Sequence, residues 1–375
     1  ATNSWFPITL SVLAIPMEGD QLSQLVADGW KYFEKVKSVE AVEIVVDTLA
    51  ASGSLPGIDR FDPREIWKAI EEKRAGKTGT TTVSEGDIKR PEWDVLASPS
   101  PPSDWPHFMS EKAEIPSAFA ELIDDVLLLK RLREVNALVG YTRVEAPEEA
   151  TDPDERPPMA DLCRSKPEWV PATEVHGEGI FIRFREDAVR AWEGQQIVLD
   201  RDRMLLAGHR GWRNARGLSP DEGYPGIRYA MLHTFAHLLV RELALECGYN
   251  AASIRERIYA SADPASPMAG VLLYTAAADS DGTLGGLVEL GKPENLGPLI
   301  EQALVRAGVC SSDPLCSEHD PAADRSLHAA SCHACAFVAE TSCERGNRYL
   351  DRALLVGTFD CQDAAFFPLL GERYG

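Results

Sequence analysis

Six of the eight cysteines fall between Cys310 and Cys361, and four of them, Cys316, Cys332, Cys335 and Cys343, are spaced C-x15-C-x2-C-x7-C. A Cys-x-x-Cys pair presents two thiolates from one tight turn. A second pair supplied by flanking segments closes a tetrahedron around Zn²⁺, which favours sulfur donors and four-coordination. With sulfur in all four positions no site is left for a substrate, so the expected role is structural. The metal would clasp residues 310–355, a stretch of roughly forty residues too polar to fold around a core of its own. Spacing alone leaves the fourth ligand open, because Cys310, His319, His328 and His333 lie near enough to substitute. A redox Cys-x-x-Cys, or thiols that are simply buried, is the alternative.

A chain of 375 residues, 44% of them hydrophobic, has room for two or three domains with ordinary cores. No apolar run approaches the ~18 residues a membrane span needs. Clustered, metal-spaced cysteines without a secretory signal point to a reducing cytoplasm rather than a disulfide framework. The first residue is Ala1, and the opening segment reads as a strand, so the chain is expected to be a piece of a longer protein. The formal charge of −21, from 59 acidic and 38 basic residues, excludes a surface built wholly for nucleic acid; any phosphate contact must be local. Part of the acid is segregated in EAPEEATDPDE, residues 145–155, which reads as a solvated linker.

Along the chain, Ser4 to Pro16 alternates as a strand, and Asp20 to Leu49 carries apolar residues at helical spacing. Asp62-Pro63 followed by REIWKAIEEKRAG has the cap, the first-turn proline and the closing glycine of a helix. GKTGTTT in residues 76–82 lacks the leading glycine and the preceding apolar strand of a phosphate-binding loop. Gly177 and Gly179 are expected to flank a turn, with Ile180 to Phe184 a strand and Glu186 to Trp192 the start of a helix. Tyr229 to Leu245 is the strongest helix signal and ends at Cys247-Gly248. ASIRERIYA, residues 252–260, reads as a second helix, Val271 to Tyr274 as a buried strand, and Asn295 to Val305 as a helix. Residues 279–286 form a glycine-rich turn suited to an anion or to tight packing. GNRYLDRALLV after Cys343 is expected to be helical, with Arg348 and Arg352 on its outer side.

Two further groups carry possible chemistry. Arg201, Arg203, Arg210, Arg213 and Arg216 surround Trp212 with few acids among them; such a stretch can hold a phosphate backbone and stack on bases. It can equally pair with the chain's own surplus carboxylates. His233 and His237 sit one turn apart on one helix face, the arrangement that offers two imidazoles to one metal. The residue after His233 is Thr234 rather than a general-base glutamate, and Glu242 or Asp279 would have to supply a third ligand. Histidines packed into the fold are the alternative.

The succession WFPITLSVLAIP, RLREVNALVGYTRV, EWVPATEVHGEGIFIRF, LHTFAHLLVRELALECGYNAASIRERIY, LLYTAAADSDGTLGGLV and CHACAFVAETSCERGNRYLDRALL resembles the DrmB family of the bacterial DISARM anti-phage systems, from Ser4 to about Val356. The last portion is similar to the four-cysteine module known as domain of unknown function 1998, which also accompanies DNA-repair helicases. The resemblance implies a cytoplasmic protein that works with the superfamily 2 helicase DrmA in restricting phage DNA, without a catalytic constellation of its own. It carries the zinc ligands to Cys316, Cys332, Cys335 and Cys343, and it implies that an N-terminal segment is missing.

The fold expected is α+β in two parts: a mostly helical region over 1–144, and after a linker at 145–158 a mixed region over 159–375 closed by the zinc module. Three functions compete. The first is a non-catalytic helicase partner that completes or gates DNA binding. The second is a metal-dependent phosphodiesterase centred on His233 and His237. The third is an assembly scaffold without DNA contact.

Overall fold

β-branched and aromatic runs build the central sheet of this computed structural model. The structure describes residues 5–16, 18–74, 88–101, 105, 107–143, 160–165, 167–248, 250–275, 286–324 and 326–367. The strands are β1 (Trp5–Leu13), β2 (Phe108–Ala113), β3 (Ile123–Arg143), β4 (Ala172–Phe184), β5 (Ile254–Ser261) and β6 (Met268–Thr275). Their order is β1-β3-β4-β6-β5, with β2 also on β3, and the pairings are antiparallel. The fold class is therefore α+β, as expected.

The described chain falls into two compact units, one of Ala1–Ala14 with Ser103–Gly375 and one of Ile15–Pro102. The division thus differs from a boundary at 145–158. β3 and β4 flank that segment and pair from Ile123↔Phe184 to Ala137↔Ala172, so the chain leaves and re-enters one sheet. Residues 145–158 themselves, GKTGTTT, Asp279 and most of the glycine-rich turn lie outside the described residues.

The smaller unit holds α1 (Glu18–Asp28), α2 (Trp30–Phe33), α3 (Val39–Ser52), α4 (Pro63–Arg74) and α5 (Lys89–Leu96). Local signals set its ends. Ser38 accepts from Ala41 N at the start of α3, and Gly53 takes φ 63° at its close. Asp62 and Glu65 exchange side-chain bonds with the first turn of α4, a capping box. Val26, Phe33, Val42, Leu49, Ile66 and Ile70 form its core. The helical character expected of the N-terminal region belongs to this unit; residues 107–113 and 123–143 are mostly strand.

In the larger unit α6 (Glu186–Glu193), α7 (Gln196–Asn214), α8 (Gly226–Cys247), α9 (Gly286–Leu290), α10 (Pro293–Ala307) and α11 (Pro321–Asp324) accompany the sheet. α8 is buried at 17 of its 22 residues, which makes it the axis of the core; a helix apolar on all sides has no solvent face to keep. Gly248 ends it at φ 66°.

Three local expectations are corrected. ASIRERIYA is not a helix: Ile254–Ser261 is β5, which forms a hairpin with β6 from Ile254↔Thr275 to Ser261↔Met268. Ile254, Ile258 and Tyr259 favour a pleated surface, and the intervening DPAS is turn chemistry. Gly177 and Gly179 do not flank a turn but lie inside β4. A Cβ at Gly177 would come within 1.7 Å of Thr275 O, so the glycine admits β6's backbone. Finally, residues 346–351 are not helical. Gly346, Asn347 and Tyr349 take positive φ, and the segment pairs with 327–330 through Tyr349 N to Leu327 O and Ala329 N to Leu350 O. Arg352 is buried rather than outward-facing.

Candidate metal centre

α10 delivers the chain to Cys310, and a short 3-10 turn, Pro314–Glu318, capped by Asp313, carries Cys316. The Cys332–Cys335 turn closes through Ala336 N and Phe337 N to Cys332 O, and Cys332 N points at Cys335 Sγ at 3.2 Å. These four thiols converge. Cys310 Sγ and Cys332 Sγ are 3.6 Å apart, Cys316 Sγ and Cys335 Sγ 3.6 Å, and Cys332 Sγ and Cys335 Sγ 3.7 Å. Zn–S bonds of ~2.3 Å at tetrahedral angles place sulfurs roughly 3.8 Å apart, whereas a disulfide needs ~2.05 Å. The spacing fits a zinc ion and not a bridge.

Four thiolates and Zn²⁺ leave two negative charges, and Arg352 offsets part of them. Its guanidinium donates to Cys316 Sγ (3.4 Å), Ala330 O (2.9 Å) and Ala307 O, which fixes it beneath the cluster. Without an ion the thiols share protons: a hydrogen bond from Cys316 and the charge of Arg352 push the Cys335 thiol down, while the same bond and burial push Cys316 up.

Of the four cysteines expected to share a metal, Cys316, Cys332 and Cys335 lie in this cluster, and Cys310 is the fourth thiol beside them. Cys343 sits elsewhere. Its sulfur accepts from Asn347 N (3.1 Å) and Arg345 N (3.4 Å) and faces His233 Nε2 at 3.1 Å. The signal that would have favoured Cys310 is its position just past the end of α10, six residues before Cys316. His319 stacks on His328 instead of joining the thiols, and His333 packs on Phe337.

His233 and His237 do converge, with ring centroids 4.4 Å apart, but Glu242 does not join them. Glu242 pairs with Arg306 at 3.0 Å. The carboxylate beside the histidines is Glu256 of β5, which sequence reasoning missed because it placed this residue on a helix. Burial pushes the His233 pKa down, against the opposing pull of the Glu256 carboxylate.

The arginine stretch divides by helical phase. Val198, Arg201, Leu205, His209 and Arg213 form the buried stripe of α7. Arg201 makes a paired salt bridge to the buried Asp351, with Nη2 to Oδ1 at 3.0 Å, and Arg213 donates to Ser219 O. Arg203, Arg210 and Arg216 are exposed. The first two pair with Asp200 and Asp221, and Arg216 lies over the Trp212 ring at 3.8 Å, with Arg348 4.9 Å from the same ring. Exposed pairs of this kind hold their arginines by only about 0–1 kcal/mol.

A closed four-thiol site set against a buried helix defines a zinc-binding module. Residues 235–336 match the MrfA Zn-binding domain, a span that contains Cys310, Cys316, Cys332 and Cys335 and ends before Cys343. The DISARM protein DrmB of Bacillus paralicheniformis is 35% identical over 98% of this chain. The chain is a relative of DrmB, the likeness read from its sequence, and spans 65% of that protein's length. The crystal structure of the DUF1998 helicase MrfA bound to DNA is 11% identical, with a TM-score of 0.26 over 57% of this chain and 22% of that one. So low a score carries no argument about the fold.

Proposed function

We propose that this chain acts as a non-catalytic, cytoplasmic partner of the superfamily 2 helicase DrmA in DISARM defence, completing or gating DNA binding. Structural zinc would be held by Cys310, Cys316, Cys332 and Cys335. The relationship to DrmB along 98% of the chain carries this reading. The zinc would lock the 310–355 clasp onto α8 and α10, so that the module holds its shape when docked. Arg203, Arg210 and Arg216 are the arginines of this stretch left on the surface, beside the half-buried Trp212, and they would exchange their exposed acid partners for phosphate. Arg201 and Arg213, bound internally, belong to the fold instead.

The phosphodiesterase reading is the less favoured because its histidines are buried against Cys343 and Glu256. The test is co-purification with DrmA and DNA titration over a salt series, for the unaltered chain and for Arg203→Glu plus Arg210→Glu. An intact complex with weaker binding, its salt slope reduced by roughly 0.9 for each phosphate no longer neutralised, supports the proposal. Loss of the complex with DNA affinity untouched assigns the arginines to a scaffold. Failure of the unaltered chain to bind DrmA ends the helicase-partner reading.

A further inference from the structure

The thiol cluster is not the only convergence of donors among the described residues. His233 and His237 of α8, Glu256 of β5 and Cys343 of the clasp bring ligand atoms within 4.8 Å of one another, and all four residues are buried. His233 Nε2 lies 2.9 Å from Glu256 Oε1 and 3.1 Å from Cys343 Sγ, and His237 Nε2 lies 3.3 Å from Glu256 Oε1.

The hydrogen bonds show why protons alone serve this group poorly. His237 Nδ1 is 2.9 Å from Ala336 O; a carbonyl only accepts, so Nδ1 carries the proton and a neutral ring turns a lone pair toward Glu256. Glu256 Oε1 already accepts from Glu344 N at 3.1 Å, and Cys343 Sγ accepts from two backbone amides. The His237 Nε2 lone pair and Glu256 Oε1 are therefore two acceptors facing each other at 3.3 Å, beside the His233 ring and the Cys343 sulfur. Glu256 Oε2 and His233 Nδ1 are buried with no hydrogen-bond partner, an expense that folds rarely leave uncompensated.

We propose that His233, His237, Glu256 and Cys343 form a second, structural site for a divalent ion of the zinc class, bound by two imidazole nitrogens, one carboxylate oxygen and one thiolate. The donor types suit zinc, and the Ala336 carbonyl orients His237 as outer partners of metal-bound histidines do. One carboxylate and one thiolate neutralise the ion, so the buried site carries no net charge. With zinc bonds of about 2.0–2.3 Å, donor atoms stand roughly 3.3–3.6 Å apart. The His237–Glu256 edge has that length, and the His233–Glu256 and His233–Cys343 edges open by a few tenths of an ångström on binding. The ion ties α8, β5 and the clasp together at one point and has no free position for a substrate. This site is independent of the helicase reading.

The test is the metal content of the purified full chain after exposure to a competing chelator, with X-ray absorption at the zinc edge on the same sample. Two ions per chain, sharing five sulfurs, two imidazoles and one carboxylate oxygen, are expected. In Cys332→Ser plus Cys335→Ser one ion with two nitrogen neighbours, one oxygen and one sulfur remains, and in His237→Gln plus Cys343→Ser one ion with sulfur neighbours alone. The unaltered chain decides the matter even if a variant does not fold. One ion surrounded purely by sulfur overturns the proposal, as does a second ion that the chelator strips at once.

Discussion

The pair of Arg201 with Asp351 separates a residue of the fold from a residue of a DNA footprint. Asp351 is fully buried. It takes two bonds from the guanidinium, caps Ala353 N at 3.1 Å, and its own amide donates to Thr234 Oγ1 at 2.9 Å, so it ties the end of the clasp to α7 and α8. Asp351→Asn keeps the shape but strands the guanidinium, whose other carboxylate, Asp360, is 3.8 Å away and half exposed. Breaking a buried pair from one side costs about 3–5 kcal/mol, because the surviving charge stays desolvated. At about 2–4 °C per kcal/mol, the thermal midpoint of the larger unit should fall by roughly 6–20 °C. Arg201→Met strands Asp351 and should cost a similar amount. The double variant Arg201→Met plus Asp351→Leu leaves no charge behind and should recover most of the loss, a coupling that a double-mutant cycle reads directly. Thermal melts followed by hydrogen exchange over residues 327–355 provide the assay. Single variants that melt within about 1 kcal/mol of the unaltered chain would refute the reasoning. So would a stable double variant whose DNA affinity has collapsed, since Arg201 would then face the nucleic acid.

Two further outcomes follow from the packing. Gly177→Ala drives a Cβ to 1.7 Å from Thr275 O, so β4 and β6 must part; the variant should be insoluble or show lost amide protection in β4 and β6, and a melt indistinguishable from that of the unaltered chain would contradict the register. His209, against Tyr349 OH and Glu222 O at 2.8 Å each, has its pKa lowered by burial. Since the fold binds this proton less readily than the unfolded chain does, His209 costs nothing above a pH of about 6.5 and destabilises progressively below it. His209→Gln should flatten the dependence of thermal midpoint on pH between 7 and 5, and an unchanged slope would show that other groups set it.

Much was legible without coordinates because the controlling physics is local. Cap and period signals placed α4, α8 and α10. Cys332-x-x-Cys335 announced the turn on which the thiol cluster is built, and the long ordered segments announced the likeness to DrmB. The errors share one cause. Whether residues 252–260 form a helix or a strand depends on β6 lying beside them, and whether Cys310 or Cys343 completes the thiol set depends on where the end of α10 meets the clasp. Arg201 and Arg203 are two residues apart and chemically alike, yet the phase of α7 buries one on Asp351 and leaves the other in solvent.

Residue types and spacing by themselves determined that the chain would be α+β and that cysteines near its C-terminal end would gather into a cluster able to hold a metal. Tertiary structure alone decided which donors share a centre. Glu256 is 19 residues from His237 and Cys343 is 110 residues from His233, separations over which a sequence carries no local signal. Only the closure of the sheet and the clasp upon α8 brings those donors within bonding range of one ion.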